Sequence, residues 1–350
     1  MIKNISIHNF KALKKLENVQ LNKITLIGGK NNSGKSSLLE ALFLYVDRKA
    51  SDTLLRLLGW RQFFGIQATP EAMWAPFFFH FSFSDDVAIT VIEDSEKQGE
   101  LSIAYKENYT PKVSPPINNN GILSSQSGGG TVCRSLSIVH KTGSNGSEKT
   151  IDFIGHPLIH STGGYYEVEQ DSADTLPHIF YMGSRMLLDA DNIERLGKLD
   201  KNDAQNKILP LLQKFEPNLQ RFQVIKEGTT DVIYADLGNK NKVPVNLLGD
   251  GFCRCLTIAL LLVADTIDIL LLDEFGIGVH YSMLNTLWQF IIDASNKLNC
   301  QIIATTHSYE MIQAFYNAVN EKEYDDAGYI RLQKKNVTIQ PKTTSQRSSA

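Results

Sequence analysis

Eight consecutive residues, Gly29-Lys30-Asn31-Asn32-Ser33-Gly34-Lys35-Ser36, have the types and spacing that a polyphosphate requires. The pattern G-x-x-x-x-G-K-[ST] is a P-loop. Triphosphate oxygens need many N–H donors pointing inward at once, and only a tight, glycine-permissive loop turns its amides that way. Gly29, Asn31, Asn32, Ser33, Gly34 and Ser37 would line the phosphates, and Lys35 would reach the β and γ oxygens as a compact cation. The Ser36 hydroxyl is a hard oxygen donor suited to Mg²⁺. A chance match in a chain this long is roughly a one-in-a-hundred event.

Binding is not hydrolysis, and a second stretch supplies what hydrolysis needs. Ile269-Leu270-Leu271-Leu272-Asp273-Glu274 is a four-residue apolar run ending in two carboxylates. Asp273 would hold Mg²⁺ opposite Ser36, and Glu274, one residue further, would orient and deprotonate an attacking water. A third stretch, Thr305-Thr306-His307-Ser308, follows the apolar Ile302-Ile303-Ala304, and a His at such a strand end can donate to the γ-phosphate. A fourth, Asn246-Leu247-Leu248-Gly249-Asp250-Gly251-Phe252, opens an apolar helix. On these residues alone it is a helix start with an anion-facing turn.

These groups need a scaffold. Ile24 to Ile27 reads as a buried parallel strand, and Ser37 to Leu44 is apolar nearly all round, as for a helix packed on a sheet. Ile2, Ile5 and Ile7 begin a strand whose neighbour is expected at Val19 to Ile27. The P-loop helix should run to about Asp47, with a second helix over Asp52 to Leu58. Short β-like runs at Phe77–Phe83, Val87–Ile92, Leu101–Tyr105, Val132–His140, Thr150–Ile154 and Tyr165–Val168 predict an antiparallel meander. His178–Tyr181 returns to an apolar strand, and Asp191–Phe215 reads as a helix interrupted by Pro210. Strands at Phe222–Lys226 and Asp231–Ala235 precede an alternation. It runs helix Gly251–Thr266, strand Ile269–Asp273, helix Tyr281–Leu298, strand Gln301–Thr305, helix Ser308–Asn317. That alternation implies a parallel sheet. Residues 111–130 are rich in Pro, Asn, Ser and Gly and read as a mobile loop, and Pro341 to Ala350 reads as a polar, frayed end. There is no internal repeat and no heptad run long enough for a coiled-coil arm.

The 350 residues are 42% hydrophobic and 21% charged, enough for a sizeable core. A net charge of −3 advertises no overall affinity for nucleic acid, although a local basic face stays open. Cys133, Cys253, Cys255 and Cys300 have no framework spacing and read as reduced thiols of a cytoplasmic protein. The N-terminus lacks a signal-peptide core, and the apolar stretch Leu256 to Phe275 is broken by Asp265, Asp268, Asp273 and Glu274, so no membrane span is expected.

The order of P-loop, glycine turn with helix, Asp-Glu strand and strand with His resembles the ATP-binding cassette ATPases, in the branch of SMC proteins and RecF. Ile5-Ser6-Ile7-His8-Asn9-Phe10-Lys11-Ala12-Leu13 looks like the first strand of that branch. Leu248-Gly249-Asp250-Gly251 and Gly276-Ile277-Gly278-Val279-His280 most resemble the OLD-like (AAA15/AAA21-type) ATPases. The resemblance implies an α/β fold: an ABC-ATPase head with a mixed, mainly parallel P-loop core sheet, an antiparallel β-subdomain and a helical insert. One ATPase domain over 1–350 would then comprise an N-terminal lobe with the P-loop (1–65), a β-rich insert (66–182) and a helical and strand insert (183–245). A signature, Walker B and His-switch lobe (246–335) and a C-terminal strand with its tail (336–350) would complete it.

In that family ATP on one P-loop is closed over by the partner's glycine signature, which would place Leu248, Gly249, Asp250 and Gly251 in trans on a homodimer or a multiple of it. The sequence departs from L-S-G-G-Q: Leu248 stands where Ser usually sits, and Asp250 replaces a Gly. Asn32 stands where many relatives have Gly, and Gln62 is the candidate for the Q-loop glutamine. Residues 308–350 are too few for the TOPRIM nuclease of OLD proteins. The expectation is therefore an ATPase using ATP and Mg²⁺, sensing for a bacterial antiviral system beside a separate nuclease or toxin. The alternatives are a RecF-like repair ATPase acting on DNA and an ATP-held scaffold with little turnover. Nucleic acid stays open as a partner, and a transporter subunit fits the strand-rich middle less well.

Overall fold

A computed structural model describes residues 1–48, 50, 53–61, 74–94, 98–109, 133–142, 149–155, 165–168, 176–184, 190–335 and 338–344. Its centre is a six-stranded sheet in the order β16-β15-β3-β14-β13-β9. These strands are β3 Ile24–Gly29, β9 Ile179–Met182, β13 Ile269–Leu272, β14 Gln301–Thr306, β15 Ala327–Lys335 and β16 Thr338–Thr344. Strands β9, β13, β14, β3 and β15 run parallel, and only β16 is antiparallel to its neighbour. All of β13 and β14 is buried, which is why β13 and the Ile302–Ala304 stretch of β14 read as apolar runs.

Alternate residues of each strand feed opposite cores, as a period of two demands. Ile24, Leu26, Leu270, Leu272, Ile302 and Ala304 join one cluster with Leu256, Trp288 and Phe315. Those partners lie on helices α4 (Asp250–Ala264), α5 (Tyr281–Leu298) and α6 (Tyr309–Glu321). Ile27, Ile269, Leu271, Ile303 and Ile330 face the other way, onto α1 (Lys35–Val46), α2 (Thr53–Trp60) and the second sheet. Helix α3 (Ala190–Lys201) packs beside α4.

The second sheet is antiparallel, in the order β2-β1-β4-β5-β6-β7-β8. It joins β1 (Ile2–Phe10) and β2 (Leu13–Gln20) to β4 Val87–Glu93, β5 Gln98–Tyr109, β6 Cys133–Thr142, β7 Lys149–Gly155 and β8 Tyr165–Val168. A small third sheet holds β10 Arg221–Glu227, β11 Thr230–Asp236 and β12 Val243–Pro244. The mixed α/β architecture with a P-loop core sheet and an antiparallel sheet is the one expected.

Four local expectations are corrected. Val19–Ile27 is not one strand beside β1: the chain hairpins at Lys11, pairing Phe10 with Leu13, and β3 departs into the other sheet. Phe77–Phe83 is not a strand either. Two 3₁₀ turns, Ala75–Phe77 and Phe79–Phe81, bury Phe77 and Phe78 as plugs, and Phe78 only bridges Phe10. The helix from 190 ends at Lys201, and Pro210 sits in the opening positions of a separate turn, Leu209–Leu212, where its missing N–H costs nothing. Pro341 to Thr344 continues β16, while 345–350 and the 111–130 loop lie outside the described residues. No helix among the described residues is long and apolar enough to cross a membrane.

Candidate functional site

Parallel strands bring their carboxyl ends to one edge of the sheet, and that edge gathers the candidate residues. β3 runs into the P-loop, β14 into His307 and β13 into Asp273-Glu274. Because β14 lies between β3 and β13, groups far apart in the chain become neighbours.

The P-loop closes on itself through the Ser33 amide, which donates to the Lys30 carbonyl at 3.2 Å. Asn32 has φ 59, a left-handed conformation that Asn tolerates better than most residues, so it serves where Gly is common. Gly34, φ 86, is the N-cap of α1. The Lys35 ammonium donates to the carbonyls of Gly29 (3.0 Å) and Lys30 (3.2 Å). It also lies 3.3 Å from Oε1 of Glu274. Ser33 Oγ is buried with no hydrogen-bond partner among the described residues, and Ser37 is buried on the first turn of α1.

Asp273 is surrounded by hydroxyls. Ser36 donates to its Oδ1 at 3.0 Å, Thr305 to the same oxygen at 2.7 Å, and Tyr181 to Oδ2 at 3.1 Å. Burial, and then the Asp273 charge, hold the Tyr181 phenol well above its ordinary pKa, so it stays a donor. A hydroxyl and a carboxylate oxygen 3.0 Å apart, both hard donors beside a phosphate loop, fit Mg²⁺.

Glu274 turns out of the strand with φ 50, its amide held by Thr305 Oγ1 at 3.0 Å. Its Oε2 accepts from the His307 amide at 3.1 Å and meets His307 Nδ1 at 2.7 Å. A carboxylate only accepts, so Nδ1 carries the proton in this contact. For His307 to donate through Nε2 as well, the ring must be protonated on both nitrogens. His280 bonds Ser282 instead, at 2.9 Å, at the start of α5.

Sequence reasoning missed three residues here. Tyr181 ends the strand read at His178–Tyr181, and Thr305 begins the stretch that carries His307. The third is Glu40, fully buried on α1 one turn after Ser36, which accepts from Lys11 (2.7 Å) and Arg61 (2.8 Å). Burial pulls the Lys11 pKa down against the pull of Glu40. A run of small and polar tips at strand ends was the only signal for Tyr181 and Thr305. Gln62 lies outside the described residues.

The signature turn lies elsewhere. Gly249, φ 94, and Asp250 are exposed at the start of α4, with Leu248 half-buried before them. Gly251 is buried: a Cβ there would stand 2.3 Å from the Gly278 carbonyl oxygen. Among the described residues no hydrogen bond or ion pair joins Leu248–Gly251 to the P-loop.

Residues 24–312 match the family described as "AAA domain, putative AbiEii toxin, Type IV TA system", designated AAA_21. The chain belongs to the AAA_21 family. It is an ATPase, and its α/β fold is of the ABC type. Along nearly its whole length this AAA_21 chain is similar to the "ATP/GTP phosphatase" of Helicobacter pylori (strain ATCC 700392 / 26695), with 24% identity over 346 residues, covering 93% of the chain and 90% of that protein. The AAA_21 fold also resembles the solved structure of "the SmcHead bound to the C-winged helix domain of ScpA", with a TM-score of 0.50 and 14% identity, covering 99% of this chain and 98% of that one.

Proposed function

We propose that this ATPase binds ATP with Mg²⁺ across the P-loop edge and hydrolyses it in a head-to-tail dimer. The observation that carries the reading is the meeting of Ser36 with Asp273 beside a Glu274 already oriented by His307. Gly29 and 31–37 bind the phosphates, and Lys35 exchanges its carbonyl and Glu274 contacts for phosphate oxygens. Ser36 and Asp273 would hold Mg²⁺, which when bound neutralises charge on the β- and γ-oxygens. Glu274 takes the proton of the attacking water. His307 keeps the carboxylate of Glu274 aimed and, when doubly protonated, offers Nε2–H to the γ-phosphate.

In the dimer, Leu248, Gly249, Asp250 and Gly251 of one chain face the nucleotide of the other. The exposed φ 94 glycine at a 15-residue helix start supports this, since its amides and dipole favour an anion. The biological reading is a cytoplasmic sensor of an antiviral system. It would couple ATP state to a separate nuclease or toxin, and the family's toxin–antitoxin description supports that setting.

Light scattering on a Glu274→Gln variant with and without ATP tests the assembly. ATP should convert it to a dimer or a multiple of one. A monomer under both conditions would remove the trans signature from the account.

A further inference from the structure

Three hydroxyls converge on Asp273, but they do different work. Ser36 and Thr305 both serve Oδ1. Among the described residues Tyr181 alone donates to Oδ2, from the strand on the far side of β13. Its ring is itself locked. Trp60, the last residue of α2, stacks on it with centroids 4.2 Å apart and planes 9° from parallel, and Phe43 of α1 meets it edge-on at 6.4 Å.

The next residue, Arg61, donates to Glu40, which lies one turn along α1 from Ser36. The contacts form a closed ring: Ser36, α1, Glu40, Arg61, Trp60, Tyr181, Asp273 and back to Ser36. A ring of this kind fixes the separation and the mutual tilt of a hydroxyl and a carboxylate. Those are the quantities that matter to a small cation demanding near-ideal octahedral geometry.

We propose that Tyr181, clamped by Trp60, is a positioning residue for Mg²⁺: its hydroxyl holds Oδ2 of Asp273 so that Oδ1 is presented to the cation together with Ser36. The proposal rests on the ATP·Mg²⁺ reading above and adds a residue that touches neither nucleotide nor metal. Outer partners that orient a ligating carboxylate typically contribute 10–100-fold to metal affinity.

The test is Tyr181→Phe, which keeps the ring and its stack and removes only the hydroxyl. Calorimetry with a non-hydrolysable ATP analogue is run in EDTA and then across a Mg²⁺ titration, for the wild type and the variant. The Mg²⁺ concentration giving half of the metal-dependent gain in affinity should rise by about 10–100-fold. Affinity in EDTA and the thermal unfolding midpoint should stay as in the wild type. A second pair tests the clamp without touching the hydroxyl: Trp60→Ala should shift the Mg²⁺ midpoint in the same direction, and Trp60→Phe should restore most of it. An unchanged midpoint in Tyr181→Phe overturns the proposal and leaves the ATPase reading standing. So does an equal loss of affinity in EDTA, because the hydroxyl would then serve the loop and not the metal. A wild type with no Mg²⁺-dependent gain overturns both.

Discussion

Replacing Glu274 with Gln should separate nucleotide binding from turnover, and the structure gives the size of each effect. The carboxylate makes two kinds of contact. Oε2 takes the amide and Nδ1 of His307, and Gln offers an amide oxygen of the same shape to both. Oε1 lies 3.3 Å from the Lys35 ammonium, and here Gln gives up a charge. At an effective dielectric of about 20 that attraction is worth roughly 5 kcal/mol before solvation is counted. Taking both ions out of water offsets most of it, which leaves on the order of 1–2 kcal/mol. ATP must displace this contact to recruit Lys35, and it must also bring a γ-phosphate towards the same negative charge. Both costs fall in the variant, so ATP should bind about tenfold tighter, at roughly 1.4 kcal/mol per decade. Loss of the base should slow hydrolysis by about 10²–10⁴-fold. Filter binding beside a phosphate-release assay reads both quantities. Hydrolysis at the wild-type rate would place the base elsewhere. Weaker ATP binding would show that the Lys35–Glu274 contact does not compete with nucleotide.

Asp273→Asn should behave differently from its neighbour. It loses turnover and the Mg²⁺-dependent part of ATP affinity together, and a Mg²⁺ titration of binding would show this. Lys35→Ala should abolish ATP binding by calorimetry, because Lys35 is the cation held within the loop, on the carbonyls of Gly29 and Lys30; unchanged affinity would refute the P-loop assignment. Gly251→Ala should destabilise the fold by about 1–3 kcal/mol in denaturant unfolding, since its methyl meets a backbone oxygen that cannot swing aside.

The candidate site groups were legible where the chain keeps them together. The P-loop is one unbroken motif, and Asp273, Glu274 and His307 each follow an apolar run whose end is easily read. Tyr181 and Thr305 were not legible as site residues, because their roles come from strand adjacency. Tyr181 lies 92 positions from Asp273 and becomes its partner only because β9 pairs with β13. The same limit explains the strand errors. Val19–Ile27 has the composition of one strand, but the chain changes sheets within it. Phe77 to Phe83 has strand-like aromatics, of which the fold uses Phe77 and Phe78 as plugs at short turns. Asn32 shows the reverse case, a departure from the common loop pattern that its left-handed backbone accounts for.

The place of β3 has a consequence for how the chain is made. Its two neighbours, β14 and β15, begin at residues 301 and 327. While a ribosome extends the chain, the P-loop strand therefore waits with both edges bare until β14 has been made. The antiparallel strands β1, β2 and β4 can already close on each other from the first 93 residues. An unpaired apolar edge held open for that long invites wrong pairing. The nucleotide site is accordingly assembled only after β14 and β15 have been made, so a nascent or truncated chain ending before β15 should bind no ATP and should be a substrate for chaperones.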